Sequence, residues 1–194
     1  MTSPFDLFTI GHSSHPIERF LALLAAPGVT GVVDVRSRPF SRRFPWFSQT
    51  RLAQHLQGQS IAYLPRGDAL GGRPDDPALL RDGIADYEAI AATRHFQSGL
   101  DEISALSKHG RPCLMCAERE PLDCHRFLLV ARALADRGLR VAHLLADGSI
   151  EPHAATEDRL LAAIGADVDL FSVNRAARLA DAYRRRAGAV AFRT

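Results

Sequence analysis

The sequence predicts an α/β protein, a single domain with a mainly parallel sheet flanked by helices in three layers. Three observations lead there. Short apolar, β-branched runs alternate with segments of helical periodicity, the signature of strand–helix–strand units. The run GVVDV at 31–35 is apolar along almost all of its length, as a strand covered on both faces requires. The 194 residues, 46% hydrophobic and 24% charged, suffice for one core that buries roughly 70% of the unfolded surface.

The elements follow in order. DLFTIGHSS (6–14) reads as a short apolar strand ending in a glycine turn. HPIERFLALLAAPG (15–28) places apolar residues at 17, 20, 21 and 24 and stops at Gly28, an amphipathic helix. VTGVVDVRS (29–37) is the second strand, and RPFSRRFPWFS (38–48) a loop rich in proline, arginine and aromatic rings. QTRLAQHLQGQ (49–59) is a helix and IAYLP (61–65) a strand. The Gly/Pro/Asp-rich loop RGDALGGRPDDP (66–77) precedes two or three helical pieces within 78–110. RPCLMCAE (111–118) is a buried strand, CHRFLLVARALADRG (124–138) a helix, and LRVAHLLADG (139–148) a strand. TEDRLLAAIG (156–165) is a helix with Thr156 as N-cap, and SVNRAARLADAYRRRAG (172–188) a basic amphipathic helix. There is no internal repeat, linker or low-complexity tract. Residues 1–155 form the main α/β unit, and 156–194 a helical extension packed on the same domain.

The formal net charge of +2 commits the protein to no polyanion. Of the 24 basic residues, only Lys108 is a lysine. Codon bias accounts for that, yet every cation near a pocket is then a planar, permanently charged fork suited to phosphate or carboxylate. The N-terminal segment lacks a basic region followed by an apolar run, and no stretch is apolar enough to span a bilayer. Three cysteines at this spacing do not form a secreted disulfide framework. A cytoplasmic protein with no membrane partner is expected; the oligomeric state is open.

In parallel sheets ligands sit beyond the carboxyl ends of the strands. Polar residues gather at those ends: Gly11-His12-Ser13, Asp34 and Arg36, Cys116 and Glu118, and His143 with Asp147. Each has a structural alternative. Ser13 or Ser14 would cap the next helix, Asp34 and Arg36 would form a salt bridge, and His143 would be a satisfied core histidine. The segment Arg36-Ser-Arg38-Pro-Phe-Ser41-Arg42-Arg43 holds four arginines in eight residues, beside aromatic rings. That mixture grips phosphates and stacks bases, or it is a crossover loop with rings inward and arginines solvated. Tyr63 and Leu70-Gly71-Gly72 read as a flexible flap at the same rim.

The fragments T9-I-G-H-S13, D34-V-R-S-R-P39 with Ser41, Y63-L, L70-G-G72, C116-A-E-R-E-P-L-D-C-H-R126, V141-A-H-L, D147-G148 and His153 together resemble the DUF488 family of uncharacterised bacterial and archaeal proteins. The likeness runs from about 8 to 155. It implies an α/β fold and a shared pocket, and it implies no reaction.

The most specific element, Cys116 to Arg126, supports three readings. A strand-end cysteine followed by a helix and an arginine is similar to the thiolate sites of rhodaneses and cysteine phosphatases. Nine residues separate the two here, however, and Glu118, Glu120 and Asp123 between them would repel an anion. Zinc is the second reading, with Cys116, Cys124 and His125 joined by His12, His143 or His153. Cys113 and Cys116 point to opposite faces of a strand, so they make no zinc knuckle and Cys113 belongs to the core. In the third reading Glu118 is a general acid or base near His125 and Arg126, or is simply ion-paired to Arg126.

The combined expectation is an anion-binding pocket at the strand ends, serving an enzyme on a phosphorylated, nucleotide or nucleic-acid substrate. Glu118, Cys116 and His12 are the candidate catalytic residues. Ser13, Asp34, Arg36, Arg38, Ser41, Tyr63, Gly71, Gly72, His125 and Arg126 are the candidate binding residues. No cofactor and no metal ligand is nominated. A non-catalytic nucleotide- or nucleic-acid-binding module, a Cys116 thiolate enzyme and a zinc protein are the alternatives.

Overall fold

A computed structural model describes residues 4–165 and 174–194. Ser172 and Val173, where the last helix was expected to begin, lie outside them. Five parallel strands and one antiparallel edge strand form a sheet: β1 (Leu7–Gly11), β2 (Gly31–Asp34), β3 (Ala62–Pro65), then β6 (Pro112–Cys116), β7 (Val141–Leu144) and β8 (Ile150–Pro152), in the order β3-β2-β6-β1-β7-β8. The antiparallel pair is β7 with β8. β4 (Leu80–Arg81) and β5 (Ile84–Ala85) form a separate two-stranded hairpin.

The helices cover both faces of the sheet. α1 (Ile17–Ala25) and α2 (Gln49–Gln57) send Phe20, Leu23, Leu24, Leu52 and Leu56 into one apolar cluster. α3 (Gly67–Leu70), α4 (Tyr87–Ala92), α5 (Arg94–Leu106), α6 (Arg132–Asp136), α7 (His153–Ala163) and α8 (Arg175–Val190) supply Leu70, Ile90, Phe96, Leu134, Leu160 and Tyr183 to the other. β6 shows why its sequence is apolar throughout. Cys113 and Met115 join the first cluster, Leu114 and Cys116 the second. Each fully buried Leu or Phe of these clusters stabilises the fold by about 2 kcal/mol relative to an exposed one. The expected three-layer α/β architecture is the observed one.

Four local expectations are corrected. Asp82 and Gly83, both at positive φ (52° and 72°), turn residues 80–85 into a hairpin where helix was expected. This is the left-handed pair that a two-residue hairpin loop requires. α7 starts at His153 after Pro152, so Thr156 is no cap; it lies inside the helix and donates its hydroxyl to Glu151 Oε2 at 2.7 Å. The expected division at 155/156 therefore cuts a helix. α1 begins after Pro16 with no side-chain cap, so neither Ser13 nor Ser14 serves there. The expected single helix over 124–138 opens as a π-helical turn, Arg126–Ala131, before α6. Among the described residues no helix is long and apolar enough to cross a membrane.

Candidate functional site

The strand order assembles the site. β6 lies between β2 and β1, with Cys116 level with Gly11 and Met115 level with Asp34. The ladder continues past the strands: His12 N–H donates to the Cys116 carbonyl at 2.8 Å, Ser13 N–H to Ala117 at 3.0 Å and Val35 N–H to Met115 at 3.1 Å. Three chain segments thus leave the sheet side by side. Beyond them lies a hollow of about 430 Å³. His12, Arg36, Arg38, Ser41, Gly72, Cys116, Glu118 and His125 line it, together with Arg73, Tyr87, Asp123 and Phe192. Ser13, Asp34, Tyr63, Gly71 and Arg126, nominated from the sequence, are not on its wall.

At its floor, four side chains converge. Glu118 Oε2 is 2.9 Å from Cys116 Sγ and 3.0 Å from Cys124 Sγ. His125 Nδ1 is 3.7 Å from the first sulfur and 4.0 Å from the second. One ligand atom from each of the four falls within 4.8 Å of the others, a set that could hold a metal ion. The zinc reading expected a histidine from 12, 143 or 153; the structure brings Glu118 instead. Burial, the largest influence, raises the Glu118 carboxyl above its ordinary value, and a Cys124 thiolate adds to it. Burial raises the Cys116 thiol as well. It also opposes ionisation of Cys124, but the hydrogen bond from Cys116 and the charges of Arg126 and His125 outweigh it and hold Cys124 low. One sulfur of the pair therefore carries the negative charge by preference.

Arg126 is a correction of placement. It is wholly buried, and its guanidinium donates to the carbonyls of Glu118 at 2.6 Å and Arg119 at 3.0 Å. It neither reaches the hollow nor pairs with the Glu118 carboxylate; it fixes the backbone that carries Glu118. Gly11 completes that clamp, because a Cβ there would stand 1.8 Å from the Glu118 carbonyl oxygen. The π turn that begins at Arg126 is a rare form that is frequent at functional sites.

Asp34 and Arg36 form a buried bidentate pair at 2.9 and 2.6 Å, and Tyr63 donates to the same carboxylate at 2.6 Å. One Arg36 nitrogen, Nη1, is left to face His12 Nε2 at 3.3 Å. His12 donates from Nδ1 to the Ser13 carbonyl at 2.9 Å and stacks on Phe47 with ring centroids 4.3 Å apart. Burial, then the Arg36 charge, lowers its pKa to about 4, so the ring is neutral near pH 7. Tyr63 is a strut beneath the hollow.

The expected flap is also corrected. Leu70 is buried in the core, and a Cβ on Gly71 would meet the Gly67 carbonyl oxygen and Ser37 Oγ, each at 2.2 Å. A Cβ on Gly72 would touch the His125 ring at 2.7 Å. These glycines allow close packing; they do not mark a loose loop. In the 36–47 segment Phe47 is fully buried and Trp46 donates to the His15 carbonyl at 3.1 Å, whereas Phe40 is 73% exposed at the hollow.

His143 and Asp147 stand apart from the hollow. His143 is buried in a directed chain: Thr9 Oγ1 lies 2.8 Å from His143 Nδ1, His143 Nε2 3.1 Å from His153 Nδ1, and His153 Nε2 3.2 Å from the Tyr183 hydroxyl. Tyr183 in turn donates to Glu157. Asp147 caps a surface turn through Ser149. Arg73 and Phe192 were missed from the sequence. Arg73 directly follows the Leu-Gly-Gly motif, a usable signal. Phe192 arrives from the far terminus, held by its carbonyl to Ala85 N–H at 2.9 Å, and no local pattern announces it.

Together these features define an α/β protein with a polar hollow at the carboxyl ends of three adjacent parallel strands. The particular family is DUF488: the family model described as "Domain of unknown function DUF488" matches residues 16–133, and the chain belongs to that family. The match holds Asp34, Arg36 and the Cys116–Arg126 segment, and leaves out Thr9–Ser13 and the 141–153 fragments. No curated protein and no solved structure matches the chain.

Proposed function

We propose that the protein is an enzyme acting on a phosphorylated small molecule of the nucleotide type, with Glu118 as the acid or base beside Cys116. The observation that carries this reading is the shared wall of the hollow. Among the described residues Arg38 and Arg73 form no ion pair, and both open into the same space as Glu118. Asp123, the other carboxylate on that wall, is paired with Arg186, whereas Glu118 has no cationic ion-pair partner among the described residues. Guanidinium forks suit phosphate oxygens, and the rings of Phe40 and Tyr87 offer faces for a base, while Phe192 carries the Arg73 guanidinium over its ring at 5.3 Å. A hollow of about 430 Å³ fits a small molecule better than a polymer groove. Arg36, balanced by Asp34, orients the rim through His12.

The test is turnover and binding of nucleoside phosphates against the free nucleosides. Glu118→Gln should lose turnover and keep binding; joint replacement of Arg38 and Arg73 by alanine should weaken binding. Binding with no turnover in the wild type would leave a non-catalytic nucleotide-binding module. No preference for phosphorylated compounds would remove both readings.

A further inference from the structure

We propose that Cys116, Cys124 and His125 bind a zinc ion, with Glu118 at the fourth, hollow-facing position. The proposal shares the hollow with the reading above and stands without its substrate; Glu118 would serve as acid or base there only once it leaves the ion.

The first argument is geometry. With Zn–S near 2.3 Å and Zn–N near 2.0–2.1 Å, a tetrahedral site sets sulfur and nitrogen about 3.6 Å apart. His125 Nδ1 stands 3.7 and 4.0 Å from the two sulfurs. Glu118 Oε2, at 2.9 and 3.0 Å from them, sits closer than a ligated carboxylate and would withdraw by about half an ångström. Its place on the open wall allows that movement.

The second argument is the tautomer. His125 Nε2 lies 2.9 Å from the Val35 carbonyl oxygen. A carbonyl accepts only, so Nε2 carries a hydrogen and Nδ1 is the ring atom aimed at the two sulfurs. Despite burial, the Cys124 contact raises the ring's pKa, and a metal at Nδ1 would take the place of the proton shared there. Metal-bound histidines are held in this way by an outer carbonyl. Cys124 Sγ also accepts the Arg126 backbone N–H at 3.4 Å, a contact that favours thiolate.

The third argument is charge. Arg126 is fully buried, forms no ion pair among the described residues, and leaves Nε without a partner. A buried cation needs a nearby counter-charge. Two thiolates, one carboxylate and a dication sum to one negative charge beside it. The ion enters as the Cys116 thiol proton and any proton on His125 Nδ1 leave, so filling the site should release protons.

Two thiolates and an imidazole select a soft or borderline metal over magnesium or calcium, and tetrahedral S/N ligation suits zinc. Cys116 and Cys124 are buried, while His125 and Glu118 are partly exposed toward the hollow; a Glu118 that swings off the ion would leave the open fourth position that catalytic zinc sites keep.

The experiment uses the full chain purified without a histidine tag. Metal content is measured by mass spectrometry, and chelator-treated protein is titrated with cobalt(II). About one zinc per chain is expected, with the intense visible bands and thiolate charge-transfer absorption of tetrahedral cobalt. Cys116→Ala and Cys124→Ala should each lower metal content at least tenfold, and Cys113→Ala should leave it unchanged. Less than a tenth of an equivalent after zinc supply, with a featureless cobalt spectrum in the wild type, overturns the proposal without recourse to any variant. Equal metal loss in Cys113→Ala overturns it too. Metal binding without nucleotide binding would sink only the enzyme reading; nucleotide turnover by protein that takes up neither zinc nor cobalt would sink only this one.

Discussion

The His125 ring reaches from the segment after β6 to the Val35 carbonyl at the end of β2, with Nε2 and oxygen 2.9 Å apart. One hydrogen bond thus ties the cysteine segment to its neighbouring strand. The Gly72 backbone packs on the same ring, so the imidazole is fixed at one edge and on one face.

Gly72→Ala should disturb that ring more than the fold. The added Cβ would stand 2.7–2.8 Å from His125 carbons. Overpacking of this kind costs about 1–3 kcal/mol. Urea unfolding should show a loss in that range, and cobalt affinity should fall with it. An unchanged midpoint would mean that the loop simply moves aside.

Arg126→Met should cost roughly 2–5 kcal/mol, because two buried carbonyls lose their donor. Arg126→Lys should recover part of the loss, since an ammonium reaches one carbonyl in place of two. Denaturant midpoints of the three proteins give the order: wild type, lysine, methionine.

Acid should destabilise the protein through the Thr9–His143–His153–Tyr183 chain. Burial is the main cause in both rings, lowering His153 to about 4 and His143 well below its ordinary value. Unfolded, each ring takes up a proton near pH 6.5. With the folded values depressed, the unfolded chain binds more protons below that pH. Stability is therefore complete above about 6.5 and declines as pH falls toward about 4, by at most about 1.4 kcal/mol per pH unit for each ring. His153→Gln should flatten this limb in melts recorded from pH 7 to 4.

Arg38→Ala and Arg73→Ala should each raise the KM for a nucleotide roughly fivefold. Both side chains are exposed, and solvent holds such contacts to about 1 kcal/mol. The effect should shrink in high salt. Titration at two ionic strengths checks both statements.

Cys113 should resist alkylation in the folded protein. It is fully buried between β6 and the α1/α2 layer, and burial drives its thiol upward. Peptide mass spectrometry after iodoacetamide treatment should find it labelled only once the chain unfolds.

The sheet was legible because its strands are apolar and short and are separated by amphipathic helices. The convergence of Gly11, Asp34 and Cys116 followed from a general property of parallel sheets. Other features stayed hidden for identifiable reasons. Asp82-Gly83 is a strong hairpin signal, but the surrounding segment reads as helix. RFLLVA at 126–131 has nothing to distinguish a π turn from an α turn. Arg126 looked like an anion ligand because arginines seldom serve buried carbonyls, and a sequence does not show carbonyls. Cys116 and Cys124 lie too far apart for a zinc knuckle; only the 3-10 turn at Pro121–Asp123 folds the second sulfur back over Glu118.

The insertion of β6 between β2 and β1 also governs the order in which a nascent chain can build this site. When the ribosome has released only the part ending near Arg111, β1 and β2 have no common neighbour, because each pairs with β6 and not with the other. The sheet's middle slot then waits for the very strand that carries Cys113 and Cys116. Its two facing edges are exposed meanwhile, open to pairing with foreign strands. Fragments truncated before residue 112 should therefore aggregate, and the floor of the hollow is completed late in synthesis, once that central strand has closed the sheet.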